Sequence, residues 1–118
     1  MAAIESRRFD HPDETRTPDK TRVEVVHLGG TEVGRFSFAP GWRWSECIKP
    51  VVGTESCQVE HIGYATSGRI TVVHEDGTRA SVGAGDVYRI APGHDAWVEG
   101  DEEYVGIEFT GAATYAKA

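Results

Sequence analysis

From residue 23 onward, hydrophobic and polar residues alternate in short runs that are rich in Val, Ile, Phe, Tyr, Trp and Thr. Gly and Pro interrupt these runs at intervals of roughly 8–12 residues, which is typical of an all-β sandwich or barrel. No segment has a helical period long enough to predict a helix. We therefore predict an all-β fold with strands at about 22–28, 33–38, 42–47, 56–64, 69–74, 78–82, 86–90, 95–99 and 104–109.

Three glycine-containing turns support this strand pattern. Asp76-Gly77 separates two strand-like runs and predicts a tight two-residue hairpin, because a turn with positive φ matches the twist of its flanking strands. Gly29-Gly30 and Pro92-Gly93 mark further turns. The strands are therefore expected to follow one another closely along the chain.

The first 22 residues differ from the rest in composition. Their few hydrophobic residues are Met1, Ala2, Ala3, Ile4 and Phe9, which are too few to form a core. We predict that residues 1–22 form an arm that is either flexible or packed on a partner subunit, and that residues 23–118 form the barrel domain. Ile4 and Phe9 are suitable anchors for the arm in a homodimer.

Composition and charge exclude several classes of protein. A length of 118 residues fits one domain. The net charge of −7, without a stripe of Lys and Arg, argues against nucleic acid as a partner, and the apolar runs are too short for a membrane helix. The N-terminus lacks the apolar segment of a secretory signal, so we expect a cytoplasmic protein. In that compartment the two cysteines are expected to be free thiols, metal ligands or core residues.

An ordered set of features lies between residues 61 and 97. In chain order they are Tyr64 four residues before Gly68, the Asp76-Gly77 hairpin, Gly85-Asp86 at the start of a strand and Pro92-Gly93 at its end. This order resembles the core of the cupin family. The resemblance implies a small antiparallel jelly-roll barrel, often dimeric, whose mouth commonly holds a divalent metal on three His and one Glu.

The chain departs from the family pattern at the metal ligands. The first cupin motif has His-x-His, then three or four residues, Glu, six residues and Gly. Counting back from Gly68 places His61 where the family has Glu. The two preceding His places fall on Glu55 and Cys57, and the final His of the second motif falls on Ala96. Only one of the four places therefore carries a His.

A rearranged metal site at Cys57, His61 and His94 is the hypothesis that follows. Strand parity puts Cys57 and His61 on one face, and His94 has the parity to point inward from the opposite strand. Thiolate and imidazole ligands suit a divalent metal such as zinc, iron, manganese or nickel, with Glu46, Glu55 or a water completing the shell. Alternatively these residues belong to the core, and His61 then needs Glu46, Glu55 or a water as a hydrogen-bond partner.

A second group of residues predicts a small-molecule pocket. Trp42, Trp44 and Glu46 share one face of a predicted strand, and Trp97 and Tyr64 lie near the expected barrel mouth. Apolar walls with a few polar groups are typical of ligand sites, and the candidate catalytic groups are His61, Glu46 and His94. The alternative is that the Trp residues fill the barrel or a dimer interface.

Three functions remain open at this stage. The first is a cupin enzyme that acts on a small molecule, by isomerase, lyase or dioxygenase chemistry and with or without a metal. The second is a cupin that binds or senses a small molecule without metal or turnover. The third is a structural or interaction role, which leaves the polar residues Glu46, His61 and His94 without a purpose. Fold analogy does not choose among them.

Overall fold

The computed structural model describes residues 3–117, which form antiparallel β-strands and two short helices. The strands are β1 (Glu14–Arg16), β2 (Thr21–Leu28), β3 (Thr31–Phe38), β4 (His61–Ser67), β5 (Arg69–His74), β6 (Arg79–Gly83), β7 (Val87–Ile90), β8 (His94–Val98) and β9 (Tyr104–Thr110). The helices are α1 (Trp44–Cys47) and α2 (Lys49–Val52). Neither helix has the length and apolarity that crossing a membrane requires.

The strands form two sheets whose inner faces share one core. The larger sheet has the order β1-β2-β3-β9-β4-β7, and the smaller has the order β6-β5-β8. Every pairing within them is antiparallel. Inward residues alternate with outward ones along β4, β8 and β9, as the period of two requires. The prediction of an antiparallel all-β fold is confirmed.

The predicted strand at 42–47 is wrong, because Trp44–Cys47 form helix α1 and Arg43 pairs only through a single bridge with Trp97. The backbone N–H of Ser45 donates to the Asp95 carboxylate at 3.1 Å, which satisfies one of the free N–H groups of the first turn. Pro50 lies in the first turn of α2, and Gly53 ends that helix with a φ of 78°. The spacing of Trp42 and Trp44 suggested a strand with both indoles on its buried face. Both indoles are indeed buried, but the backbone that carries them is not a strand.

The strand predicted at 56–64 begins only at His61. Cys57 forms a single bridge with His94, and the residues between Cys57 and His61 leave the sheet. The hairpin at Asp76-Gly77 is present, but its loop has three residues rather than two. His74 pairs with Thr78, and Gly77 takes the positive φ of 93° that such a loop needs.

An aromatic cluster fills the space between the sheets. Trp42 stacks on Phe38 with ring centroids 3.9 Å apart, and its Nε1 donates a hydrogen bond to Thr21 at 2.9 Å. Phe36 stacks on Tyr115 at 4.6 Å. Stacked rings and a satisfied indole N–H are typical of a well-packed core. The barrel interior is therefore largely occupied by the protein's own side chains.

The N-terminal arm contacts the barrel of its own chain within the described residues 3–22. β1 pairs with β2, and the backbone N–H of His27 donates to the Asp13 carboxylate at 2.7 Å. Farther toward the N-terminus, the Arg35 guanidinium lies over the Phe9 ring at 5.2 Å. The division into arm and domain, and the role of the arm in a homodimer, stay predictions.

The outer face of β4, β7 and β9 carries exposed apolar side chains. They are Ile62, Tyr64, Val87 and Phe109, and Val87 is 78% exposed. Tyr64 therefore does not face the barrel interior, because it lies on the outward parity of β4. A homodimer through a β face, the absence of nucleic acid as a partner and a cytoplasmic location stay predictions.

Glu24 provides a prediction about stability in acid. Its buried carboxylate lies 2.8 Å from Arg35 and 3.3 Å from Arg22. Burial raises the pKa of Glu24, but the hydrogen bonds and charges of the two arginines outweigh it, and the pKa falls below its ordinary value of 4.5. The pairing therefore contributes fully above that value and is lost as the pH falls through the lower folded-state pKa.

We expect Glu24→Gln to lower the free energy of unfolding by about 2 kcal/mol at pH 7, with a smaller loss near pH 3. Urea denaturation at both pH values measures this difference. The control is Glu55→Gln, because the Glu55 side chain is 95% exposed and should be neutral at either pH. An equal loss for Glu24→Gln at pH 3 and pH 7 contradicts the assignment.

Candidate functional site

Cys57, His61 and His94 meet at one end of the barrel. His61 is the first residue of β4 and His94 the first of β8, so each ring projects from the end of a strand. The backbone of Cys57 is bound to β8, since its N–H donates to His94 at 2.8 Å and its carbonyl accepts from Gly93 at 2.7 Å. The structure thus brings together the three residues predicted as metal ligands.

The three side chains are buried and close enough to share one ion. Cys57, His61 and His94 are 2%, 5% and 4% exposed. One ligand atom from each lies within 4.8 Å of the other two, and the Cys57 Sγ lies 3.6 Å from the His61 Nε2. A tetrahedral zinc ion would place sulfur and nitrogen ligands roughly 3.6 Å apart. The cluster fits such an ion.

Both imidazole rings are oriented by a hydrogen bond on their Nδ1 atoms. The His61 Nδ1–H donates to the Glu108 carboxylate at 2.7 Å, and the His94 Nδ1–H donates to the Ala91 carbonyl at 2.8 Å. Each ring therefore directs Nε2 away from these acceptors. Metal-ligating histidines are generally held in this way, because the second bond selects the tautomer and raises the basicity of the ligand atom.

The same contacts stabilise charge separation between Cys57 and His61. Burial opposes ionisation of Cys57, but hydrogen bonds from His61 and His94 outweigh it and lower its pKa to about 6. Burial also opposes a charge on His61, but the charge of Glu108 and the hydrogen bonds of Cys57 and Glu108 raise its pKa to about 10. The thiolate is the form of cysteine that ligates metals, whereas a protonated His61 releases its Nε2 proton when a metal binds there.

Glu108 is the polar residue that the sequence analysis missed. It lies on the inward parity of β9, is 3% exposed, and also accepts a hydrogen bond from the Tyr88 hydroxyl. The available signal was its position in YVGIEFT, where Tyr104, Gly106 and Glu108 share the inward face. A carboxylate on that face needs donors, and His61 is the nearest candidate of matching charge.

Other predicted site residues lie elsewhere. Glu46 is exposed on α1, and Glu55 is exposed and paired with Lys49 at 3.2 Å, so neither is the expected partner of His61. Glu46 was expected on the inward face of a strand, but it lies in helix α1, where the alternation of a strand does not apply. Trp97 points outward from β8, where the guanidinium groups of Arg43 and Arg79 lie 4.7 and 5.2 Å from the centroid of its ring. It is therefore not part of a pocket at the barrel mouth.

Two cavities lie on either side of the cluster. The inner cavity has a volume of about 30 Å³ and is lined by His61 and His94 together with aromatic residues that include Trp42 and Trp44. It is far smaller than the roughly 300–1,000 Å³ of typical ligand pockets. The outer cavity has a volume of about 240 Å³ and is lined by Cys57, Trp44, Ile48, Val52, Tyr115 and Ala116.

The C-terminal segment, residues 111–117, forms one wall of the outer cavity. Tyr115 is buried between this cavity and the inner one, with its ring 5.3 Å from that of His61. Arg16 of β1 holds the segment, because its guanidinium donates to the carbonyls of Ala112, Ala113 and Tyr115 at 2.9, 3.2 and 2.7 Å. Arg16 thereby holds one wall of the outer cavity in place.

Comparison with solved structures identifies the fold. The chain is similar to a Cupin 2 conserved barrel domain protein from Salinispora arenicola, with 24% identity over 91% of this chain and 87% of that one, and a TM-score of 0.62. A cupin-like protein from Thermotoga maritima is 21% identical over 78% and 68% of the two chains, with a TM-score of 0.53. KdgF from a Halomonas species is 18% identical over 86% and 89%, with a TM-score of 0.58.

These likenesses establish a cupin fold for the chain. No family model and no curated protein matches the sequence. The expected resemblance to cupins is therefore confirmed at the level of the fold.

Proposed function

We propose that this small cupin domain binds a divalent metal on Cys57, His61 and His94 and acts on a small molecule next to that metal. The observation that carries the proposal is the convergence of three buried ligand atoms within 4.8 Å, with both imidazoles oriented through Nδ1. Sulfur and nitrogen ligands favour zinc, while imidazole also suits iron and nickel.

Three protein ligands leave one position for a non-protein ligand. Structural zinc sites generally use four protein ligands, whereas catalytic ones use three and keep a position open. The fourth ligands expected from the sequence, Glu46 and Glu55, lie outside the cluster. When bound, a divalent metal would polarise a substrate oxygen or activate a water. The ligand number therefore supports an enzyme over a purely structural site.

The protein's own residues define where a substrate fits. The inner cavity admits no organic molecule, so the outer cavity against Cys57 is the small-molecule site we propose. Ile48, Val52 and Ala116 give it apolar walls, and Thr54, Gln58 and Thr114 provide polar groups. Its volume of about 240 Å³ suits a compact substrate of mixed polarity. Glu108 holds His61 in place and maintains its Nε2 as the ligand atom.

Metal content tests the proposal directly. Untagged protein is incubated separately with Zn²⁺, Fe²⁺, Mn²⁺ and Ni²⁺, desalted and analysed by mass spectrometry for metal per chain. We expect one equivalent of at least one metal in the wild type and less than a tenth of that in Cys57→Ala and in His94→Ala. The two variants remove ligands from different strands, so a shared loss locates the ion between them.

Cys47→Ala is the matched control. Cys47 is also a buried free thiol, but it lies outside the cluster and should not affect metal content. A wild type without metal overturns the proposal. So does stoichiometric metal that persists in both Cys57→Ala and His94→Ala.

A further inference from the structure

The C-terminal segment, residues 111–117, is bound to the rest of the protein by one side chain. Within residues 3–117, the hydrogen bonds that join this segment to other elements all come from the Arg16 guanidinium, which binds three of its carbonyls. The backbone hydrogen bonds inside the segment return to Gly111. Removal of the Arg16 side chain would therefore break every one of these bonds to the barrel.

The remaining contacts of the segment are packing and an ion pair at the surface. Tyr115 is 2% exposed and stacks on Phe36. Lys117 lies 3.6 Å from Glu14, but both side chains are partly exposed, and such pairs contribute little to stability. Apolar packing is not directional, so the hydrogen bonds of Arg16 are what fixes the position of the backbone.

Two residues of the segment have a positive φ. Gly111 directly follows β9 with a φ of 101°, and a Cβ there would lie 2.6 Å from the carbonyl oxygen of Glu60. A glycine can absorb the change in φ and ψ that a hinge requires. Ala116 has a φ of 56°, which costs free energy in a residue other than glycine and persists only where its surroundings hold it. Movement of the segment relieves this strain.

The segment covers Cys57. This thiol is 2% exposed, and the outer cavity of about 240 Å³ that it lines is also lined by Tyr115 and Ala116. A molecule larger than this cavity reaches the thiol only after one of the walls has moved. The segment is the wall that a single side chain holds in place.

We propose that residues 111–117 form a lid over Cys57, with its hinge at Gly111, and that Arg16 holds the lid closed. The lid opens when the guanidinium releases the three carbonyls, and Tyr115 then leaves its place beside His61. Opening widens the outer cavity toward solvent, so that molecules too large for the closed cavity reach Cys57.

The lid goes beyond the proposed function and does not rest on it. Arg16 binds backbone carbonyls, which are present with or without a metal. The test therefore uses protein that has been treated with a chelator and shown to be free of metal. A failure of metal binding leaves the test of the lid unchanged, and a lid that does not open leaves the test of metal binding unchanged.

The rate at which Cys57 reacts with a bulky, uncharged reagent, N-(1-pyrenyl)maleimide, measures the opening of the lid. Cys47→Ala is the background for every measurement, because Cys57 is then the one cysteine in the chain. We expect a slow reaction whose rate is nearly constant at low urea and rises only as the chain unfolds, since opening a short segment exposes little surface.

Two results in this background would overturn the proposal. A rate that rises from zero urea with the slope of global unfolding would show that Cys57 reacts only in the unfolded chain. A rate without urea that equals the rate of the unfolded chain would show that nothing covers the thiol.

Arg16→Ala tests whether the arginine holds the lid. Because three hydrogen bonds from a charged donor are lost, we expect the rate at low urea to rise by about 10–100-fold. Arg8→Ala is the matched control, because it removes the same charge from an arm side chain that is 77% exposed, and it should change the rate by less than about twofold.

Arg16→Lys keeps the charge without the planar fork of donors and should give an intermediate rate. The comparison is made where the rate does not depend on urea, so a loss of overall stability in a variant does not imitate opening of the lid. If Arg16→Ala reacts no faster than Arg8→Ala, the arginine does not hold the segment and the proposal fails.

Discussion

Replacing Glu108 by Gln should lower the free energy of unfolding by about 3–5 kcal/mol and weaken metal binding about 10–100-fold. The buried carboxylate accepts a hydrogen bond from His61 on one oxygen and from Tyr88 on the other. Gln keeps the volume but turns one acceptor into an amide donor, so one of these donors loses its partner. Urea denaturation and zinc titration measure the two effects.

The stability effect does not require a metal, whereas the affinity effect does. Glu55→Gln is the control, because it removes one negative charge from an exposed side chain and should change neither measurement. If Glu108→Gln unfolds at the wild-type urea concentration, the carboxylate does not hold His61. If stability falls but zinc affinity is unchanged, His61 is not a ligand.

Trp42→Ala should cost about 3–5 kcal/mol of unfolding free energy. The indole is 2% exposed, stacks on Phe38 and satisfies its N–H with Thr21. Its removal leaves a large cavity in the aromatic cluster and also removes the hydrogen bond that the Thr21 hydroxyl accepts. Urea or thermal unfolding gives the value, and circular dichroism checks that the variant remains folded.

Trp97→Ala is the matched comparison, because it removes the same side chain from an outward position. It loses two cation–π contacts with arginines and should cost only about 1–2 kcal/mol. Similar costs for the two variants would show that Trp42 is not a core residue. The sequence pattern predicted one pocket lined by both indoles, so this comparison separates that arrangement from one in which Trp42 is in the core and Trp97 is on the surface.

Turn residues and strand composition allowed much of the fold to be predicted from the sequence. The runs that became β5, β7, β8 and β9 lie within about two residues of their predicted bounds, because Gly and Pro separate stretches that are rich in β-branched and aromatic residues. The segment 42–47 was wrongly predicted as a strand. Its alternation of Trp with polar residues is also compatible with a short helix. The carboxylate of Asp95, on a distant strand, caps this helix by accepting from the Ser45 N–H.

The candidate site was predictable only as far as local spacing extends. Parity and the count from Gly68 located Cys57 and His61, and the turn at Pro92-Gly93 located His94. Glu108 lies 47 residues from His61 in the chain, so no local pattern connects them. Strand parity with Trp42 and Trp44 pointed to Glu46 instead, and the count back from Gly68 pointed to Glu55.

The contact between Arg16 and the C-terminal segment restricts substitution of the arginine more than substitution of the residues that it binds. The guanidinium binds carbonyl oxygens, up to 99 residues distant, and every residue type offers the same oxygen. Substitutions among these partners therefore preserve the contact as long as the backbone keeps its turn, while a substitution of the arginine abolishes it. Among relatives we therefore expect the arginine to be retained while the side chains of the C-terminal segment vary. Methods that search for paired substitutions would not detect such a contact.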